Sequence, residues 1–163
     1  MIAVVQRVGA AAVTADGIPA GKIGAGLLIL LGVVSGDGVE EAATLAVKTA
    51  NLRIFCDEAD KMNRSLLDTA GGALVVSNFT LAADVRKGNR PSFTGAAAPD
   101  AAERLYEVYM AELRRLGVAQ VESGRFGADM QISLTADGPV TIMLDTDIWK
   151  RPKREPGHFE DKA

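Results

Sequence analysis

The run GLLILLGVV at residues 26–34 constrains this chain more than any other stretch. It is apolar on both faces, so it does not fit a strand with one wet side, which would alternate. At nine residues, interrupted by Gly32, it is far short of the roughly 18–20 needed to span a membrane. It reads as a central strand covered above and below. The rest of the chain must therefore supply two apolar layers, and 163 residues, 48% of them hydrophobic, suffice for one such core.

The flanking segments have the patterns to do so. IAVVQRV at 2–8 is Val-rich and β-like, with Ile2, Val4, Gln6 and Val8 on one face. The Asp16-Gly17 step that follows predicts a hairpin, because a type I′ turn wants positive φ at both central positions. VEEAATLAVKTANL has helical spacing behind a cap signature of Asp37 and Glu40. RIF at 53–55 predicts a short strand, CDEADKMN a polar turn, and ALVVSNFTL at 73–81 a second clear strand. Asp100 and Glu103 cap a longer helix with a buried stripe of Leu105, Tyr109, Leu113 and Leu116, and Gly117 is its expected C′ residue. DMQISLT at 129–135, with Met130, Ile132 and Leu134 facing in, and VTIMLD at 140–145 predict two more strands.

This order predicts a single α/β domain over residues 1–145: a mixed or antiparallel sheet, or a small barrel, with two main helices rather than a regular βαβ array. Residues 146–163 are polar, Pro-containing and aperiodic, and read as a flexible tail. The N-terminus lacks the pattern of a secretory signal, and a single cysteine, Cys56, excludes an intramolecular disulfide, so the cytoplasm is the expected location.

The inventory of reactive residues is short. The only histidine, His158, lies in the tail, which leaves no Ser-His-Asp or Cys-His system in the core. Too few His and Cys exist for a zinc site, no phosphate-binding glycine motif is present, and neither metal nor cofactor is expected. A net charge of −3 argues against general affinity for polyanions. An enzyme of this composition needs a substrate that is already a good acyl donor, such as an aminoacyl ester. Backbone N–H groups around Phe79 and Thr80 would hold the oxyanion. In SNFTLAADVRKGNRPSF, 77–93, hydroxyls and an amide at a strand end are followed by Arg86, Lys87 and Arg90. The first group suits a small polar moiety and the second suits phosphates, although a solvated loop accounts for the second when it is taken alone.

Residues 1 to about 145 resemble D-aminoacyl-tRNA deacylase, in AVVQRV, IGAGLLILLGV, ANLRIF, KMNRSLLD, RKGNRPSFTGAA, GRFGADMQ and DGPVT. The resemblance implies hydrolysis of the ester that joins a D-amino acid, or glycine, to the terminal adenosine of tRNA. It implies a homodimer with active sites at the subunit interface, no metal, and neither DNA nor membrane as partner. The family's Ser-Gln-Phe-Thr-Leu motif appears as Ser77, Asn78, Phe79, Thr80 and Leu81, and its Asn-x-Gly-Pro-Val-Thr motif as Ala136 to Thr141. By the same resemblance, Gly138 and Pro139 are joined by a cis bond and project, with Val140 and Thr141 behind them, into the partner's pocket. Their carbonyls would accept from the substrate ammonium and exclude an L side chain, a selection by rejection. Arg7 would brace that turn, Phe126 and Met130 would hold adenine, and Arg86, Lys87 and Arg90 would position the phosphates.

With no base to activate Thr80, attack by water is the favoured route, aided by the Phe79 amide and the ribose 2′-OH. Two positions depart from the family: Asn78 stands for Gln and Ala136 for Asn. One lost buried hydrogen bond costs ~0.5–1.5 kcal/mol, enough to slow a reaction roughly tenfold without abolishing it. Two other readings stay open: a non-catalytic tRNA-binding homologue, and a hydrolase of small esters or imines that does not involve RNA.

Overall fold

The computed structural model describes residues 1–149. In chain order its elements are β1 (Ile2–Ala15), β2 (Ile18–Ile23), β3 (Gly26–Gly32), α1 (Val39–Ala50), β4 (Phe55–Cys56), β5 (Met62–Arg64), α2 (Leu66–Thr69), β6 (Gly72–Ser77), a 3-10 turn (Phe79–Ala82), α3 (Pro99–Arg115), β7 (Gln120–Ser123), β8 (Met130–Asp145) and α4 (Thr146–Trp149). Strand β1 is long enough to serve two neighbours in turn. Ile2–Val8 pairs antiparallel with β3, and Ala11–Ala15 with β2 across a hairpin whose Asp16 and Gly17 both have positive φ. The other edge of β1 takes β8, also antiparallel. On the far side of β3, β6 and then β7 add in parallel, with α1 and α3 lying along the two crossovers.

The six-stranded sheet runs β2-β1-β3-β6-β7, with β8 on β1, and curls until its ends approach. The Gln120 side chain on β7 donates to the Lys22 carbonyl on β2 at 3.0 Å. The result is a mixed, near-closed, barrel-like sheet in a single α/β domain. Among the described residues no helix is long and apolar enough to cross a membrane.

Strand β3 has the two-sided burial that its sequence demands. Leu27, Ile29 and Leu31 join the layer beneath α1 and α3, with Leu45, Ala46, Leu105, Tyr109 and Leu113. Leu28 points the other way, into a smaller cluster with Val8, Val13, Ile23, Leu74 and Val76. The two long helices are also tied by polar atoms. The buried Tyr109 hydroxyl donates to Thr49 Oγ1 at 2.9 Å, and Thr49 in turn donates to the Leu45 carbonyl at 2.9 Å.

Several boundaries differ from expectation, each for a physical reason. Helix α1 is capped one residue later, where Glu41 accepts from the Gly38 N–H at 2.9 Å. Asp37 is occupied elsewhere: it takes the Met1 ammonium at 2.6 Å and the Val34 N–H at 2.7 Å. Helix α3 starts from Ala98 with Pro99 in its first turn, so Asp100 lies inside the helix rather than capping it. Its C-terminus closes as expected. Gly117 (φ +96°) donates to Arg114 at 3.0 Å and Val118 to Leu113 at 3.1 Å, the paired bonds of a Schellman motif. Leu116 is only half-buried, and Tyr106 and Met110 complete the buried stripe instead.

Strand β6 stops at Ser77, because the chain turns into the 3-10 segment rather than continuing to Leu81. The strand expected at 53–55 covers Phe55–Cys56. The last two expected strands form the single β8, and Leu134, expected to face in, is 41% exposed. Thr146–Trp149, placed in the tail from sequence, form a helical turn whose buried Thr146 hydroxyl donates to the Met1 carbonyl at 3.3 Å. The rest of that tail, 150–163, with His158, lies outside the described residues.

Candidate active site

A cleft of about 440 Å³ opens where β6 ends. Ser77, Asn78 and Phe79 form one side of it, and Phe126, Gly127, Ala128 and Met130 another. Ala96, Ala97, Pro99, Ala102 and Tyr106 complete the wall, over a floor of Leu31 and Val33 from the end of β3 and just beyond. Thus two segments 47 residues apart, chosen from sequence for different ends of one ligand, line one cavity.

The local fold explains how Ser77–Thr80 is presented. Ser77 is the last ladder residue of β6, opposite Leu31, and the Asn78 N–H still donates to the Leu31 carbonyl at 2.8 Å. Asn78 then leaves the extended conformation and caps the turn. Its Oδ1 accepts from the Thr80 N–H at 3.2 Å and from the Thr80 hydroxyl. Asn is well suited to this, since its short side chain returns to the backbone two residues on. The Thr80 N–H is therefore engaged. Phe79 opens the turn, and the first N–H of a helical turn has no partner inside it. Of the two amides considered from sequence, Phe79's is the better placed to receive a developing oxyanion. Thr80 is exposed and does not line the cleft.

The opposite wall is apolar and aromatic. The rings of Phe126 and Tyr106 lie 6.0 Å apart at 54°. Tyr106 donates to the Val75 carbonyl at 2.8 Å, and burial pushes its phenol up to about 12. Met130 crosses close to Gly124, where any side chain would collide with its sulfur. Sequence reading missed Pro99, Ala102 and Tyr106. Their spacing of three and four residues puts them on one face of α3, beside the stripe that attracted attention, and that was the available signal.

The Gly138-Pro139 turn lies elsewhere in the chain. Between the pairs Gln6–Thr141 and Val8–Ala136, β1 contributes only Arg7 while β8 contributes Asp137, Gly138, Pro139 and Val140. This excursion is exposed at Gly138 and Pro139, half-buried at Val140, and contains the cis bond between Gly138 and Pro139. Arg7 lies buried at its foot. Its Nη1 donates to the Ile54 carbonyl at 2.6 Å, and its Nε reaches the Asp137 carbonyl at 3.3 Å and the Asp137 carboxylate at 2.9 Å. Arg7 thus holds the turn through Asp137, a residue sequence reading passed over in favour of its neighbour Ala136. Thr141 accepts from the Gln6 amide at 3.4 Å. None of residues 138–141 lines the cleft.

The basic loop is closed by two backbone bonds across Asp84 and Ser92, at 2.7 and 2.9 Å. Within it, Asp84 holds Arg86 through both carboxylate oxygens. The side-chain bond from Arg86, then its backbone N–H, holds the Asp84 carboxyl down at about 2. Lys87 and Arg90 are exposed and make no ion pair among the described residues.

The family described as D-Tyr-tRNA(Tyr) deacylase matches residues 4–145. A D-aminoacyl-tRNA deacylase of Roseiflexus sp. (strain RS-1) is 59% identical over 155 residues, covering 95% of this chain and 99% of its own. Another from Ruegeria pomeroyi is 58% identical over 145 residues, covering 89% and 99%. Among solved structures, a protein described as c-Myc DNA unwinding element binding protein is 40% identical with a TM-score of 0.84, covering 90% of this chain and 99% of its own. A probable eukaryotic D-amino acid tRNA deacylase shares the fold at TM-score 0.77 and 18% identity, covering 88% and 97%. With the family matched over nearly all of the described fold, the chain belongs to the D-Tyr-tRNA(Tyr) deacylases, a family of hydrolases.

Proposed function

We propose that this deacylase hydrolyses the ester between a D-amino acid, or glycine, and the 3′-terminal adenosine of tRNA, and spares the L-esters. The observation that carries the reading is the single cleft joining the Ser77–Phe79 strand end to the aromatic wall at Phe126 and Met130. Adenine lies against Phe126 and Met130, which brings the ester carbonyl to Phe79. Water adds to that carbon, the Phe79 N–H stabilises the oxyanion, and collapse expels the ribose 3′-oxygen, which leaves protonated with help from the neighbouring 2′-OH. The products are the free amino acid and tRNA. Thr80 serves the turn and is not the nucleophile.

Selection comes from the partner subunit. The Gly138 and Pro139 carbonyls accept from the substrate ammonium and fill the space an L side chain would need, while hydrogen or a D side chain is admitted. Arg7 and Asp137 keep the turn in place. Two features favour a dimer that brings the turn to a partner's cleft. The turn is absent from the cleft of its own subunit. It also projects from β8, which among the described residues pairs only with β1 and exposes Leu134 and Met143. Outside the cleft, Arg86, Lys87 and Arg90 position the tRNA phosphates.

Incubating D-Tyr-tRNA with catalytic amounts of protein tests the activity. Release of free D-tyrosine at a rate proportional to protein supports it. Retention of the charged tRNA on the protein without release would indicate a tRNA-binding homologue instead.

A further inference from the structure

We propose that Phe93 is a positioning residue for the deacylation: it clamps Phe79 and so fixes the N–H that receives the oxyanion. The proposal rests on the reaction just described and assigns a role to a residue outside the cleft.

Phe79 borders the cleft yet is 59% exposed, an unusual state for a ring beside reacting atoms. Its backbone belongs to a four-residue 3-10 turn, a short element with poor hydrogen-bond geometry. An additional support is the Phe93 ring, which meets it edge to face with centroids 5.1 Å apart and planes at 76°.

Phe93 is anchored on both sides. It directly follows Ser92, whose N–H and carbonyl close the basic loop onto Asp84. Beyond it, the Ser35 N–H donates to the Gly95 carbonyl at 2.9 Å and the Ala97 N–H to the Val33 carbonyl at 3.1 Å. These bonds fasten the following segment to the chain leaving β3, and Ala96 and Ala97 then form cleft wall. The clamp therefore stands between the closed loop and the rigid wall, and it fixes Phe79 relative to both. The ring lies outside the cleft lining, and the direction of the Phe79 N–H depends on it.

The test compares Phe93→Ala with Phe93→Tyr, which keeps the ring. With D-Tyr-tRNA, Phe93→Ala should lower kcat roughly tenfold while KM changes less than about twofold, and Phe93→Tyr should restore the rate. Independently of turnover, uniformly 15N-labelled protein reports the Phe79 amide together with the strand amides. The Phe79 amide should have a lower 15N order parameter in Phe93→Ala, with the strand amides of β3 and β6 unchanged. An unaltered kcat, an effect on KM alone, or an unaltered Phe79 amide would overturn the proposal. If the parent protein hydrolyses no D-aminoacyl-tRNA, the functional reading fails, and the Phe79 order parameter still decides whether the clamp exists.

Discussion

At Asn78 one side-chain oxygen receives both the N–H and the hydroxyl of Thr80, and that pair of hydrogen bonds holds the turn that presents Phe79. Asn78→Ala should cost about 1 kcal/mol of stability, as for loss of a cap, and should lower kcat more than it raises KM. Urea unfolding and steady-state kinetics would check both halves; an undiminished kcat would show that the cap does not serve catalysis. Compared with the family's Gln, Asn78 looked in sequence like a loss of reach. In the structure its shortness is what allows the return to Thr80. Asp137 illustrates a different limit. Nothing in ADGPVT marks its carboxylate as the partner of a buried arginine 130 residues earlier, because that pairing depends on the β1–β8 register. Removing it by Asp137→Ala leaves Arg7 with carbonyl acceptors alone and should destabilise by about 1–2 kcal/mol, discounted because Asp137 is itself half-exposed. Asp137→Asn should lose less.

Elements announced by pattern were legible. The type I′ hairpin, the two-faced β3, both long helices and the Gly117 cap are local consequences of apolar spacing and turn chemistry. What escaped depended on distant partners. Asp37 could not be seen to abandon its helix for the Met1 ammonium, and β8 looked like two strands because its turn interrupts the alternation. In the basic loop Arg86 is shared with Asp84, whereas Lys87 and Arg90 make no ion pair among the described residues, so these two test the proposed phosphate contacts most cleanly. Neutralising Lys87 or Arg90 should raise KM for charged tRNA with kcat preserved. Each change should flatten the dependence of log KM on log salt by about 0.7–1, a figure set by counterion release. The Asp84–Arg86 pair imposes no pH dependence near neutrality. A depressed carboxyl contributes fully above its unfolded value of 3.8, and the contribution disappears as pH falls from there through about 2. A carboxyl titration of Asp84 by NMR should have its midpoint near 2.

For the molecule as a whole, the two tyrosines of the chain join α3 to the sheet and to α1. Burial raises both phenols, Tyr106 to about 12. The unfolded phenol loses its proton near 10, so this contribution to stability is complete below pH 10 and is lost as pH rises towards 12. Phenolate absorbance should therefore appear together with loss of helical circular dichroism, not before it. The proposed dimeric site makes a sharper prediction. Mixing a protomer weakened at Asn78 with one weakened at Arg7 should restore up to roughly a quarter of the activity after subunit exchange, since half the dimers then hold one intact site. A site contained within one subunit would show no recovery. The measurement closest to the central claim is deacylation of D-Tyr-tRNA, L-Tyr-tRNA and Gly-tRNA side by side, with spontaneous hydrolysis subtracted. Loss of the D- and glycyl esters with the L-ester spared is the predicted result; hydrolysis of L-Tyr-tRNA at a comparable rate would contradict it.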